Sequence, residues 1–216
     1  MEKMLVGLTG KYCSGKNFIA DILRRRGLAV LDIDKLGHIA IENRKTAIIA
    51  RFGEAIQNPP PPDGDGSINR RLLGEKVFGR KNELTALEAI VHPEVNRLTE
   101  EWIDAHIGEN LVLNAAVLHK SSVFPRLNGI ILVSAPRCIR FIRAKRRDKL
   151  PFTELTRRFS SQNEFNAQYS AGNADIYRVE NPGIGFRRGR MKPEKRIEAI
   201  LSELGLKTEP CEGGFY

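Results

Sequence analysis

Met4-Leu5-Val6-Gly7-Leu8-Thr9-Gly10-Lys11-Tyr12-Cys13-Ser14-Gly15-Lys16-Asn17-Phe18-Ile19-Ala20-Asp21-Ile22-Leu23 decides the architecture. Met4–Thr9 reads as a continuous apolar strand of the kind covered on both faces. Gly10–Gly15 is a loop, and Lys16–Arg26 is a helix with Phe18, Ile19, Ile22 and Leu23 on one face. Gly10 to Asn17 fits the spacing G-x-x-x-x-G-K, with Asn17 where Ser or Thr is usual. Glycines at the ends of such a loop let backbone N–H groups turn inward and cradle phosphates. The helix start adds partial positive charge, and Lys16 can reach the terminal phosphates. The candidate nucleotide-phosphate site is therefore Gly10, Tyr12, Cys13, Ser14, Gly15, Lys16 and Asn17. A hydroxyl at position 17 would coordinate Mg2+, a hard cation that prefers oxygen, and the Asn17 side-chain carbonyl can take that place. Cys13 sits where a helix N-terminus favours a thiolate; the plainer reading is a small loop residue contributing only its N–H.

Outward from this segment, strands and helices alternate. Ala29–Asp32, Leu111–Val117, Gly129–Val133 and Asp175–Val179 read as further strands. Helical patterns run from about Leu36 to His106, broken by Asn58-Pro59-Pro60-Pro61-Pro62-Asp63-Gly64-Asp65-Gly66, which neither a helix nor a central strand tolerates. Ser134–Arg147 and Phe152–Asn163 read as helices either side of a break at Asp148–Pro151, and Pro193–Leu204 closes the pattern, ending at Gly205. Apolar strands alternating with helices argue for a parallel sheet covered on both faces.

Composition agrees. The chain has 216 residues, 41% hydrophobic and 28% charged, too apolar for disorder and without the run of ~18 apolar residues that a membrane span needs. The N-terminal residues lack the pattern of a secretory leader. Cys13, Cys138 and Cys211 are odd in number and lack metal-ligand spacing, so the expected compartment is the reducing cytoplasm. The net charge of +9 is local. Residues 137–149 carry seven cations against Asp148 alone, and residues 187–196 carry six against Glu194. Either a polyanionic small ligand or a nucleic-acid backbone suits such patches; the second expectation is weakened by the lack of interleaved aromatics.

With Leu31-Asp32-Ile33-Asp34-Lys35-Leu36-Gly37-His38 in view, the order of motifs resembles the dephospho-coenzyme A kinase family. That family's opening element stands at Val6–Lys16, its D-A-D-x-x-x-H element at Asp32, Asp34 and His38, and a third element at Asp65–Phe78. Its I-x-H-P element stands at Ile90–Pro93, a lid pattern at Arg143, Arg147, Arg158 and Gln162, and a terminal element at Ala174, Asp175, Val179, Asn181 and Gly183. Two departures stand out. Besides Asn17, the family's D-x-P-L-L-x-E reads Asn114-Ala115-Ala116-Val117-Leu118-His119-Lys120.

The resemblance implies an α/β fold, a P-loop NTPase three-layer α/β/α with a parallel five-stranded sheet, a helical substrate-binding insert and a lid. One unit would span 1–206, with core about 1–34, 107–136 and 164–206, insert about 35–106, lid about 137–163, and a flexible tail at 207–216. It implies transfer of the ATP γ-phosphoryl group to the 3′-hydroxyl of dephospho-coenzyme A, with Mg2+ as cofactor and no membrane partner. Lys16, Asp34, Arg143 and Arg147 would be catalytic. Arg140 and Asn181 would join the nucleotide site; Asp34, His38, Arg70 and His92 would meet the acceptor; Asn17 and Asp32 would hold the metal. Plainer readings stand beside these. Asp32 and Asp34 suit a strand end capping a helix, His92 suits a satisfied structural histidine, Asn181 suits a turn before Pro182, and an arginine stripe suits a solvated face. Two other functions fit the same residues: another small-molecule kinase with this loop, or a nucleotide-binding homologue weakened at Asn17 and Asn114–Lys120.

Overall fold

The computed structural model describes residues 4–60, 62, 64–160, 169, 174–183 and 191–206. The chain divides into two compact units, one formed by 1–32 with 106–216 and the other by Ile33–Ala105.

The first unit holds a parallel sheet of β1 (Leu5–Gly10), β2 (Ala29–Asp32), β3 (Leu111–Asn114), β4 (Gly129–Ser134) and β5 (Asp175–Glu180), ordered β2-β3-β1-β4-β5. Side chains alternate across β1. Val6 and Leu8 join one core layer with Ile19, Ile22 and Leu23 of α1 (Lys16–Arg25) and Ile197, Ile200 and Leu201 of α8 (Pro193–Glu203). On the other face, a Cβ at Gly7 would lie 2.4 Å from Leu118 Cδ2 and 2.9 Å from Leu127 Cδ1. That glycine lets the second layer approach the central strand. α6 (Arg137–Asp148) and α7 (Phe152–Ser160) pack through Ala144, Leu155 and Phe159, with Tyr12 and Cys13 of the loop against them.

Two boundaries differ from expectation by three residues. β3 stops at Asn114 rather than Val117: the Ala115 N–H still donates to Leu8, but the chain then turns into a short 3-10 segment at Leu118–Lys120, leaving Val117 half-exposed. α6 begins at Arg137 rather than Ser134, because β4 pairs through Ser134 and the residue before Pro136 is pushed off helical geometry. α7 is described over Phe152–Ser160, and its expected continuation to Asn163 lies outside the described residues, as does the tail 207–216.

The second unit is helical: α2 (Ile33–Asn43), α3 (Lys45–Phe52), α4 (Arg70–Val77) and α5 (Lys81–Ala105). Ala40, Ile48, Phe52, Ile56, Ile68, Leu73, Val77 and Val91 form its core. The two ends of the proline-rich segment are tied together, with Asn58 N–H donating to Ser67, Gly66 N–H to Pro59, and an antiparallel bridge between Gln57 and Ile68. Glu94, buried, accepts from Arg97 and Asn43 and pairs with Arg44. Those bonds, Arg97's foremost, hold its carboxyl at about 2. Among the described residues no helix is long and apolar enough to cross a membrane.

Candidate active site

The phosphate loop leaves β1 at Gly10, where a side chain would meet Ser14 Oγ at 2.5 Å and the Val133 carbonyl at 2.6 Å. Ser14 N–H donates to Lys11 at 2.9 Å, and Cys13 (φ 59°) and Gly15 (φ 92°) are left-handed. Turns of this kind point backbone N–H groups into an anion-binding concavity. Gly15 is required twice over: by its φ, and because a Cβ there would lie 2.0 Å from Asn181 Nδ2. Lys16 opens α1, whose first turn carries no acid.

The loop is gripped from outside by Arg143, expected to be catalytic, and by Arg140 and Asn181, expected to bind nucleotide. Arg143 donates through Nη1 to the carbonyls of Ser14 (3.1 Å) and Cys13 (3.4 Å), and through Nη2 to the carbonyl and Oδ1 of Asn181 (3.1 and 3.3 Å). Asn181, buried, donates Nδ2 to the Ser14 carbonyl at 3.2 Å. Arg140 is also buried; its Nε donates to the Tyr12 carbonyl at 3.1 Å and its guanidinium lies 4.7 Å from the Phe159 ring centroid. Burial lowers the pKa of both arginines, from so high a value that both remain cations. Arg147 is different: its side chain is 61% exposed and paired with Asp148. Gln162 and residues 187–190 lie outside the described residues; Arg196, of the second basic segment, pairs with Glu203.

At Cys13 the plainer reading, a small loop residue rather than a thiolate, agrees with the structure. Burial raises the thiol's pKa, and this outweighs the opposing field of Arg147, Arg140, Arg143 and Arg158. The charge is there, but the sulfur is too poorly solvated to ionise early.

At the C-terminal edge of the sheet, Asp32 and Asn114 are cross-strand partners, and Asn114 Nδ2 donates to Asn17 Oδ1 at 3.3 Å. Asp32 Oδ1 and Asn114 Oδ1 are both buried without a hydrogen-bond partner. Buried polar atoms without partners are uncommon and call for water or an ion. One carboxylate with neighbouring amide oxygens is an oxygen donor set that fits a hard divalent cation. Among the described residues no group of three or more His, Cys, Asp or Glu could hold a metal by itself, so substrate oxygens and water would complete such a site. Nearby in sequence, His119 Nδ1 lies 3.4 Å from the hydroxyl of the fully buried Tyr169, which also meets Thr9 Oγ1 at 3.2 Å. Burial, with Lys120 beside it, lowers the His119 pKa. Sequence reasoning missed Tyr169 altogether and treated Asp148 only as the lone acid of a basic run.

In the helical unit, Asp34 lies in the first turn of α2, where its charge also suits the helix dipole. His38 follows at i+4 and therefore shares its face. His38 and Arg70 line one cavity of about 910 Å³ with Glu42, Asn58, Asp65 and Asn69. Asn69 caps α4, its Oδ1 accepting from the N–H groups of Arg71 and Leu72, and its Nδ2 donates to Asn58. His92, partly buried on α5, is not among the lining residues.

The model of a family described as dephospho-CoA kinase matches residues 4–181. A dephospho-CoA kinase of Treponema pallidum is 34% identical over 210 residues, covering 95% of this chain and 97% of the relative. One from Thermus thermophilus is 35% identical over 211 residues, covering 98% and 95%. Among solved structures, TT1252 from Thermus thermophilus superposes with a TM-score of 0.75 at 31% identity, covering 94% of this chain and 99% of that one. The dephospho-CoA kinase from Campylobacter jejuni, at 19% identity, TM-score 0.57 and coverage of 94% and 97%, shares the fold. With the motif order, the phosphate loop and these matches in agreement, the chain belongs to the dephospho-CoA kinase family.

Proposed function

We propose that this chain transfers the γ-phosphoryl group of ATP to the 3′-hydroxyl of dephospho-coenzyme A, giving coenzyme A and ADP. The observation that carries this reading is the intact phosphate loop, closed by Gly10 and Gly15 and opening α1 at Lys16, in a chain of this family. Phosphoryl transfer asks a protein mainly for positioning and charge neutralisation. The loop amides and Lys16 would hold the triphosphate. Arg143 would act chiefly by fixing the loop, since its guanidinium is engaged by main-chain carbonyls of Cys13, Ser14 and Asn181; Arg140 supports Tyr12 in the same way. Arg147, the exposed cation, would meet phosphate oxygens.

Asp34 would accept the proton of the 3′-hydroxyl as the hydroxyl oxygen bonds the γ-phosphorus and the bond from phosphorus to the β–γ bridging oxygen breaks, releasing ADP. His38 and Arg70, on the polar cavity of the helical unit, would hold the acceptor. His92 would support that unit from within α5. ATP-dependent phosphoryl transfer generally requires a divalent cation, and Asp32 with the Asn17 and Asn114 carbonyl oxygens would hold Mg2+, which neutralises phosphate charge when bound. The thiols suit a reducing cytoplasm.

The test is ADP release from Mg·ATP with and without dephospho-coenzyme A, with the product weighed by mass spectrometry. Acceptor-dependent ADP and a product heavier by one phosphoryl group are expected. ATP binding without acceptor-dependent turnover would overturn the assignment.

A further inference from the structure

Three arginines of α6 reach toward the phosphate loop, and two of them, Arg143 and Arg147, are held by opposite kinds of partner. Arg143 is bonded to main-chain carbonyls, which carry no net charge. Arg147 is bonded to a carboxylate: Nε donates to Asp148 Oδ1 at 2.7 Å and Nη2 to Oδ2 at 3.1 Å. Its guanidinium lies 5.2 Å from the centroid of the Tyr12 ring, and the Tyr12 hydroxyl donates to the same Asp148 Oδ2. Residues one apart on a helix do not normally face each other. This pair forms where α6 ends, one residue before the left-handed Lys149 (φ 52°). Asp148 is the one acid in the thirteen residues from Arg137 to Lys149. Its side chain is 18% exposed against 61% for Arg147, so the acid is mostly buried while the arginine reaches solvent.

We propose that Asp148 and Tyr12 are positioning residues that park Arg147 beside the phosphate loop and release it to the triphosphate when nucleotide binds. The proposal rests on the reading that Arg147 meets phosphate oxygens. A guanidinium fork fits carboxylate and phosphate alike, so Asp148 and ATP compete for one cation. Tyr12 gives the exchange its second half. When Arg147 leaves, the Tyr12 hydroxyl remains as a donor to Asp148, and the half-buried carboxylate is not stranded without a hydrogen bond. The two residues therefore act on nucleotide affinity with opposite sign: Asp148 weakens it by holding Arg147, and the Tyr12 hydroxyl strengthens it by making the departure tolerable.

The experiment is titration calorimetry of the whole chain with a non-hydrolysable ATP analogue and Mg2+, on wild type, Asp148→Asn, Tyr12→Phe, Arg147→Gln and the Asp148→Asn/Arg147→Gln pair. Asp148→Asn is expected to tighten binding about two- to five-fold, the range an ion pair this exposed supports. Tyr12→Phe should weaken it about two-fold, and the double variant should bind like Arg147→Gln alone, which should be weaker than wild type. A merely structural role cannot produce tighter binding. If Arg147→Gln binds as wild type does, the phosphate contact itself fails and the proposal falls with it. If Arg147→Gln weakens binding but Asp148→Asn does not tighten it, or tightens it equally without Arg147, the contact stands and the parking is overturned. Should Asp148→Asn not fold, the Arg147 Nε–H resonance of the wild type, identified by its loss in Arg147→Lys, decides. It should shift when the analogue binds; an unchanged resonance overturns the exchange.

Discussion

The two units present their chemistry in contrasting ways. In the α/β unit, the phosphate loop is a backbone device: two glycines without room for a Cβ, a left-handed Cys13, and a partly buried Arg143 and a buried Asn181 holding its carbonyls from outside. In the helical unit, Asp34, His38 and Arg70 are exposed side chains on helices whose core is apolar and elsewhere. A backbone site cannot be altered without disturbing the fold that shapes it. A side-chain site can lose its chemistry while its scaffold stays intact.

The largest effect should separate these cases most sharply. Asp34→Asn should lower turnover by about 10²–10⁴-fold, the range for losing a general base, while analogue affinity stays within about two-fold and the melting temperature within a degree or two. Full turnover in a stopped assay would remove Asp34 from the mechanism. Gly15→Ala should do the reverse. Its φ of 92° and the 2.0 Å approach of Asn181 Nδ2 force the loop to shift, so analogue affinity should fall about 10²-fold and thermal stability should fall with it. An affine, stable Gly15→Ala variant would show that the loop is held less tightly than its contacts imply.

The smallest effect tests the scaffold of the helical unit alone. Glu94 titrates at about 2 in the folded chain against an ordinary 4.5, because Arg97, then Asn43, hydrogen-bond its carboxylate. A folded-state pKa below the unfolded one gives stability that is complete above about pH 4.5 and is lost as pH falls toward 2. Glu94→Gln should therefore melt lower than wild type at pH 6, with the gap narrowing as pH falls from 5 to 3, and turnover at neutral pH should be largely retained. A gap independent of pH would mean that Glu94 acts through packing rather than charge.

How much of this could be read in advance depended on the kind of interaction. The strand at Leu5–Gly10, the loop and α1 were legible because each is written in contiguous residues: apolar runs, glycine spacing, and apolar positions on one helix face. The end of β3 was not, because nothing local distinguishes Val117 from the strand before it; the turn there is set by Leu118 packing into the space above Gly7. The arginines of α6 could be counted but not told apart. Arg143 becomes a clamp because Asn181, 38 residues on, brings its carbonyl and side chain to the same guanidinium. Arg147 becomes a parked cation because Tyr12, 135 residues earlier, lies beneath it. The Cys13 thiol shows the same limit, since proximity to cations was readable and burial was not.

By itself the sequence determined the parallel α/β architecture, the position of the phosphate loop and the family, since all three are carried by short-range patterns and their order along the chain. Only the tertiary structure decided which polar groups are spent on holding the loop and which remain for substrate. It also decided that Asp32, Asn114 and Asn17 share one edge of the sheet. The reason is physical: hydrogen bonds and desolvation depend on distance and burial, and both are set by packing between segments that the chain order keeps far apart.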